Sequence, residues 1–184
     1  MICVFYQTKI ILFVGSIKNS NTNFNEKKLI LYDLDKQIKI DSQSFDSEIL
    51  NIKVLNKIIF VTTKNKLTIF DIVTSEDDTK LMKFVDSIKF DNEFKGLFDI
   101  EFSNYENNRN IIAVEKSSKS IELYMLFHNS PPTLHQINLI EHAYKSLQKI
   151  IMTNKYLFVV EELGVYSKCY SLLNVEKFFL ICEL

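Results

Sequence analysis

The sequence predicts an all-β chain folded as an incomplete, open β-propeller of about four blades, each a four-stranded antiparallel sheet. Three observations predict it. Short runs rich in β-branched and aromatic residues alternate with polar turns along nearly the whole chain. An aromatic residue returns in the same strand of each unit, at Tyr32, Phe70, Tyr124 and Tyr170, with separations of 38, 54 and 46 residues. No segment favours a long helix: "IEHAYKSLQKIIM" has helix-like polar spacing, but Ile150 and Ile151 and its place in the repeat make it a loop followed by a strand. Four strands every 40 to 50 residues is the signature of propeller blades. A β-sandwich of the same strand count has no need for an aromatic at one fixed place in each unit.

The strands follow in order. First strands are "ILNIKV", "LFDIEF" and "LQKIIM"; second strands are "IILFVGS", "IIFVTTK", "NIIAVEK" and "YLFVVEE". Third strands are "LILYDL", "LTIFDI", "IELYML" and "SKCYSL", and fourth strands are "QIKIDS", "KLMKFV" and "HQINLI". Asp33 and Asp71, each directly after the aromatic, stand where the aspartate of a WD-type dipeptide would be. Between Ser47 and Ile72 there is neither glycine nor proline, so Asn56 and Asn65 are expected to supply the left-handed turn residues. The blades span approximately 8–45, 46–90, 95–142 and 145–175, all within a single domain.

The totals narrow the function. The 184 residues are 47% hydrophobic, enough to bury one sizeable core. A net charge of −1 leaves no global basic field, so no nucleic-acid partner is expected and any anion site must be local. Arg109, in "ENNRNII", is the one arginine and is expected in an exposed turn. Cys3, Cys169 and Cys182 form no CxxC pair and are odd in number, which indicates neither a zinc clip nor a disulfide framework and suits a reducing compartment. The start, "MICVFYQTKIILFVG", lacks a basic leader region, and no apolar run approaches the roughly 18 residues needed to span a bilayer. A cytoplasmic chain is expected. His128, His135 and His142 fall seven apart, but Pro131 and Pro132 break any helix that would stack them, so no metal site is expected. With three glycines, no P-loop, G-x-S-x-G, HExxH or dinucleotide turn, the chain is expected to be neither an enzyme nor a cofactor binder.

At "KKLILYDLDKQIKIDSQSFDSEILNIKVLNKIIFVTTKNKLTIFDI", "FKGLFDIEFS" and "HAYKSLQKIIMTNKYLFVVEELGVYSKCYSL" the chain resembles the PROPPIN family, WD-repeat propellers that bind phosphoinositides and serve autophagy. The ordered match runs from about Ile10 to Leu172. It corresponds to the second through fifth of seven blades, with part of the preceding one at "CVFYQTK". The resemblance implies a scaffold that binds phosphatidylinositol 3-phosphate in autophagosome formation, peripheral on autophagic or endosomal membranes, with a lipid-transfer or scaffold protein as partner. The alternative is a protein-interaction WD-repeat module without lipid binding, or a truncated fragment without function of its own.

The resemblance also implies site residues. His142, Lys145, Ser146, Gly164 and Lys168 correspond to a lipid pocket; Lys18, Asn19, Asn21 and Asn23, in the polar segment "SIKNSNTNFNEKK", correspond to a partner-docking loop. The family's paired arginines, in an F-R-R-G motif, are missing, and "NVEKFFLICEL" stands in their place. The family's pocket serine falls on Glu161, its threonine on Val165 and its arginine on Lys168. A carboxylate facing a phosphate substitutes a like charge for a donor, a loss on the order of 1–3 kcal/mol. Lipid binding by this chain alone is therefore expected to be impaired or absent.

Overall fold

The computed structural model describes residues 2–4, 9–15, 26–75, 80–90, 98–103, 109–117, 120–127, 132–141, 147–153, 156–161, 167–171 and 179–183. Every regular element among them is a strand. They form four antiparallel meanders of four strands each. The first contains β1 (Ile2–Val4), β2 (Ile10–Val14), β3 (Lys28–Asp33) and β4 (Ile38–Ser44). The second contains β5 (Ile49–Leu55), β6 (Ile58–Thr63), β7 (Lys66–Thr74) and β8 (Lys80–Lys89). The third contains β9 (Phe98–Ser103), β10 (Arg109–Ser117), β11 (Ser120–Phe127) and β12 (Thr133–Glu141), and the fourth β13 (Leu147–Met152), β14 (Tyr156–Glu161), β15 (Ser167–Ser171) and β16 (Phe179–Glu183). The all-β architecture of propeller blades expected from the sequence is what the chain adopts.

Two compact units divide the chain, Met1–Lys95 and Gly96–Leu184, with two sheets in each. In the first unit, Leu12, Leu29 and Leu31 of one sheet pack against Ile52, Ile59, Val61 and Phe70 of the next. In the second, Ile111, Ala113, Ile121 and Leu123 pack against Ile150, Met152, Leu157 and Val159. These are the alternate positions of each strand, as a pleated sheet that buries one face requires.

The repeat read from the aromatics has a backbone counterpart. In all four sheets the pairing of third and fourth strands slips by one residue immediately before the aromatic, between Leu31 and Tyr32, Ile69 and Phe70, Leu123 and Tyr124, and Cys169 and Tyr170. The extra residue on the outer strand is Ile40, Val85, Ile137 or Ile181, β-branched each time. A bulge re-aims the strand that carries it, and two of these residues, Ile40 and Ile137, pack against the core of their unit. Aspartates follow two of the bulges. Asp41 Oδ1 accepts the amide of Ser42 at 2.6 Å, and Asp86 Oδ1 that of Ser87 at 2.7 Å. Carboxylates placed this way occupy amides on an outer strand, one means of keeping a sheet edge from templating another chain.

Two aspartates also tie sheet to sheet. Asp41 Oδ2 accepts the amide of Met82 from β8 at 2.8 Å, and Asp99 Oδ2 on β9 accepts the amide of Met152 from β13 at 2.7 Å.

Several expectations need correction. Asn56 is left-handed, at φ 55°, but Asn65 is not. Its turn is held instead by the Thr63 hydroxyl donating to the Lys66 carbonyl and the Phe90 amide donating to that of Asn65. The other non-glycine left-handed residue among those described is Gln37, at φ 54°. Arg109 opens β10, opposite Ser103 and Phe127, where a turn was expected. Ile2–Val4 is the first strand of the first sheet, paired with β2, and does not belong to a preceding blade. The fourth sheet takes its outer strand from Phe179–Glu183, past residue 175.

Thr68, two residues before Phe70, is 4% exposed and its hydroxyl has no hydrogen-bond partner. An unmet buried hydroxyl costs free energy that an apolar group of the same shape does not. Thr68→Val should therefore stabilise the chain by about 1 kcal/mol, read in a thermal melt as a Tm higher by roughly 2–4 °C.

Candidate interaction surface

The turn between β3 and β4 combines tight local restraint with exposed apolar side chains. Asp33 ends β3 and its Oδ1 accepts the amides of Asp35 at 2.9 Å and Lys36 at 3.0 Å, an aspartate holding its own turn as short polar side chains do. The Leu34 amide donates to the Lys9 carbonyl at 2.9 Å, which fastens the turn to the start of β2. Lys9 Nζ lies 2.8 Å from Asp35 Oδ1. That hydrogen bond, and then the Asp35 charge, raise the pKa of the Lys9 ammonium. Exposed as it is, the pair stabilises little by itself, but it commits the second acidic residue of the turn. Gln37, left-handed without being glycine, closes the turn.

This frame presents Leu34 at 48% and Ile38 at 51% exposure. Beside them Lys36 and Lys39 are exposed. Asp35 is paired with Lys9, while Asp33 accepts two amides and keeps its charge, so Lys36 and Lys39 leave the turn with a small excess of positive charge. Chemically the turn can offer two apolar contacts flanked by two ammonium groups. An ordered surface of that kind suits an apolar stripe with acidic neighbours.

A second polar group is buried in the third sheet. Glu122 is 7% exposed; the Tyr124 hydroxyl donates to its Oε2 and Gln136 Nε2 to its Oε1 at 3.3 Å. Two donors of its own sheet satisfy this carboxylate, which marks it as a structural network. On the neighbouring surface His135 is exposed and its ring meets that of Phe127 edge-on, with centroids 5.3 Å apart. Glu26 and Glu48, both exposed, share a hydrogen bond, and that bond and then the Glu48 charge raise the pKa of Glu26. Among the described residues, no group of three or more His, Cys, Asp or Glu side chains could hold a metal ion.

Of the residues expected to form a lipid pocket, His142, Lys145, Ser146 and Gly164 lie outside the described residues, as do Lys18, Asn19, Asn21 and Asn23 of the expected docking loop. The backbone of Lys168 lies in β15, opposite Val159 and Glu183. Sequence reasoning did not single out Leu34 or Ile38. The available signal was Asp33 followed by "LDKQI", an aspartate-led turn with an apolar residue on each side.

No protein-family model and no curated protein matches the chain. Solved structures do. Atg21 of the "KlAtg21" complex with the coiled coil of AgAtg16 matches with a TM-score of 0.68 at 16% identity, over 100% of this chain and 55% of that one. Kluyveromyces lactis Hsv2 matches with a TM-score of 0.62 at 15% identity, over 100% and 50%. The complex of the fission yeast SREBP–SCAP binding domains matches with a TM-score of 0.66 at 13% identity, over 98% and 47%. At these identities the likeness establishes the fold, that of part of a β-propeller with four-stranded blades, as the sequence led one to expect. The chain spans about half the length of the solved chains it matches.

Proposed function

We propose that this chain is four blades of a PROPPIN-like scaffold without catalytic activity, that it works by holding a protein partner at autophagic or endosomal membranes from the cytoplasmic side, and that by itself it does not read phosphoinositides. The single observation that carries the partner reading is the β3–β4 turn, restrained at Asp33, Leu34 and Asp35 while it exposes Leu34 and Ile38 alongside Lys36 and Lys39. The partner chemistry that fits is a helical segment with an apolar stripe and flanking glutamates or aspartates. The similar Atg21 was solved with a coiled coil, which is an assembly of that general kind. The lipid part of the reading rests on Glu161, Val165 and the missing arginine pair, which remove donors from the positions where the family meets phosphate.

The test uses the whole chain with the Atg16 coiled coil as first probe. Capture is expected. Leu34→Asp with Ile38→Asp should weaken it by more than tenfold, since burying an unpaired charge against an apolar stripe costs several kcal/mol. Lys36→Ala with Lys39→Ala should weaken it severalfold and flatten its salt dependence. Equal capture by all variants would overturn the surface. Vesicles containing phosphatidylinositol 3-phosphate should float without the chain, and co-flotation would refute the lipid half of the proposal.

A further inference from the structure

The fourth sheet places two cysteines opposite each other. In the antiparallel ladder of β15 and β16, Cys169 and Cys182 are direct register partners, the last pair before the slip at Tyr170. Cα atoms of directly opposed residues in such a ladder are about 4.5 or 5.5 Å apart, according to the hydrogen-bonding class of the pair. Both separations fall inside the span of about 4.4–6.8 Å that a disulfide bridges. Cys3, on β1 of the other unit, is opposite Leu12 in its own ladder.

We infer that Cys169 and Cys182 form a reversible cross-strand disulfide, a redox modification site that fastens the outer strand β16 to its sheet. β16 has β15 as its sheet neighbour and stands at the edge of the order β13-β14-β15-β16. Reduced, it is held by its ladder to β15; oxidised, it is also held covalently, and the denatured ensemble is constrained by the closed loop. The oxidant is a low-molecular-weight disulfide of the glutathione class. The Cys169 thiolate attacks one sulfur of glutathione disulfide and expels a glutathione thiolate. The Cys182 thiolate then attacks the Cys169 sulfur of the mixed disulfide and expels the second. The two thiol protons pass to the two glutathione thiolates, and the two electrons lost by the cysteines reduce glutathione disulfide. Attack in the reverse order balances identically.

The sequence provides a clean readout. Lys168 and Lys177 place Cys169 and Cys182 on different tryptic peptides, 169–177 and 178–184, so the two stay joined through a disulfide alone. The full chain is equilibrated in glutathione buffers of graded ratio, alkylated and digested. With rising glutathione disulfide the joined peptide pair should appear, lighter by two hydrogen atoms than the sum of the free peptides, while Cys3 remains alkylated. Amides of β16 should exchange more slowly in the oxidised chain, and Cys182→Ser should abolish both effects. Should that variant not fold, the wild-type peptide map stands as the test without it. Alkylation of both cysteines at every ratio overturns the inference, as does capture of Cys169 or Cys182 only as separate glutathione adducts, or a link from either to Cys3.

Discussion

Phe70→Ala should be among the most destabilising single truncations in the first unit. Phe70 is 5% exposed and lies in the core shared by the first two sheets. Its ring meets Phe45 edge-on at 6.1 Å, from the connection between those sheets, and Phe84 at 6.3 Å, from the outer strand β8. Removing a buried phenylalanine costs about 3–5 kcal/mol in transfer and cavity terms, and each edge-to-face contact contributes about 0.5–1.5 kcal/mol beyond the buried area. For a chain of this size that corresponds to a Tm lower by roughly 6–20 °C. The backbone adds a second reason. Phe70 is the residue at which the ladder to β8 resumes after the bulge at Val85, so the lost ring contact falls where the outer strand rejoins the sheet. Phe84→Ala, by contrast, removes a ring that is 57% exposed and should cost about 1 kcal/mol or less, chiefly the lost ring contact. Chemical denaturation of the two variants measures the difference; equal costs would show that the ring at position 70 carries no special share of the core.

The blades were legible because two independent periods coincide in the sequence. Alternation marks each strand, and the returning aromatics Tyr32, Phe70, Tyr124 and Tyr170 mark the same strand of each sheet. The bulges were harder to read, since an extra Ile40 or Val85 resembles the ordinary aliphatic content of a strand. Only the register shows that it breaks the period of two. The turn at Leu34 and Ile38 was missed for a related reason: apolar residues flanking a turn look like strand ends until exposure distinguishes them. Arg109 was misplaced because "ENNRNII" has turn composition up to the residue where β10 starts, and polar composition locates strand boundaries poorly. Asn65 shows the same limit on a smaller scale. Asparagine permits a left-handed turn without requiring one, and bonds from Thr63 and Phe90 decide the matter.

The sheet-to-sheet carboxylates should have the next largest effects, and their loss should be separable by unit. Asp41 bonds two amides, those of Ser42 and Met82, while Asp99 bonds that of Met152 across its own pair of sheets. Hydrogen bonds to a charged group contribute about 1.5–3 kcal/mol each, and truncation strands a backbone donor where water enters incompletely, as the burial of Met82 and Met152 at 5% indicates. Asp41→Ala should therefore cost about 3 kcal/mol and Asp99→Ala about 1.5–3 kcal/mol. Asparagine at either position retains an acceptor oxygen and should cost about 1 kcal/mol. Because the two aspartates belong to different units and bond the amides of different methionines, the costs in the double variant should add to within about 0.5 kcal/mol. Amide exchange identifies the cause. Met82 should lose protection in Asp41→Ala and keep it in Asp99→Ala, with Met152 behaving in the opposite way. If both amides lost protection in either single variant, the loss would be global, and neither aspartate could be regarded as the local tie between its sheets.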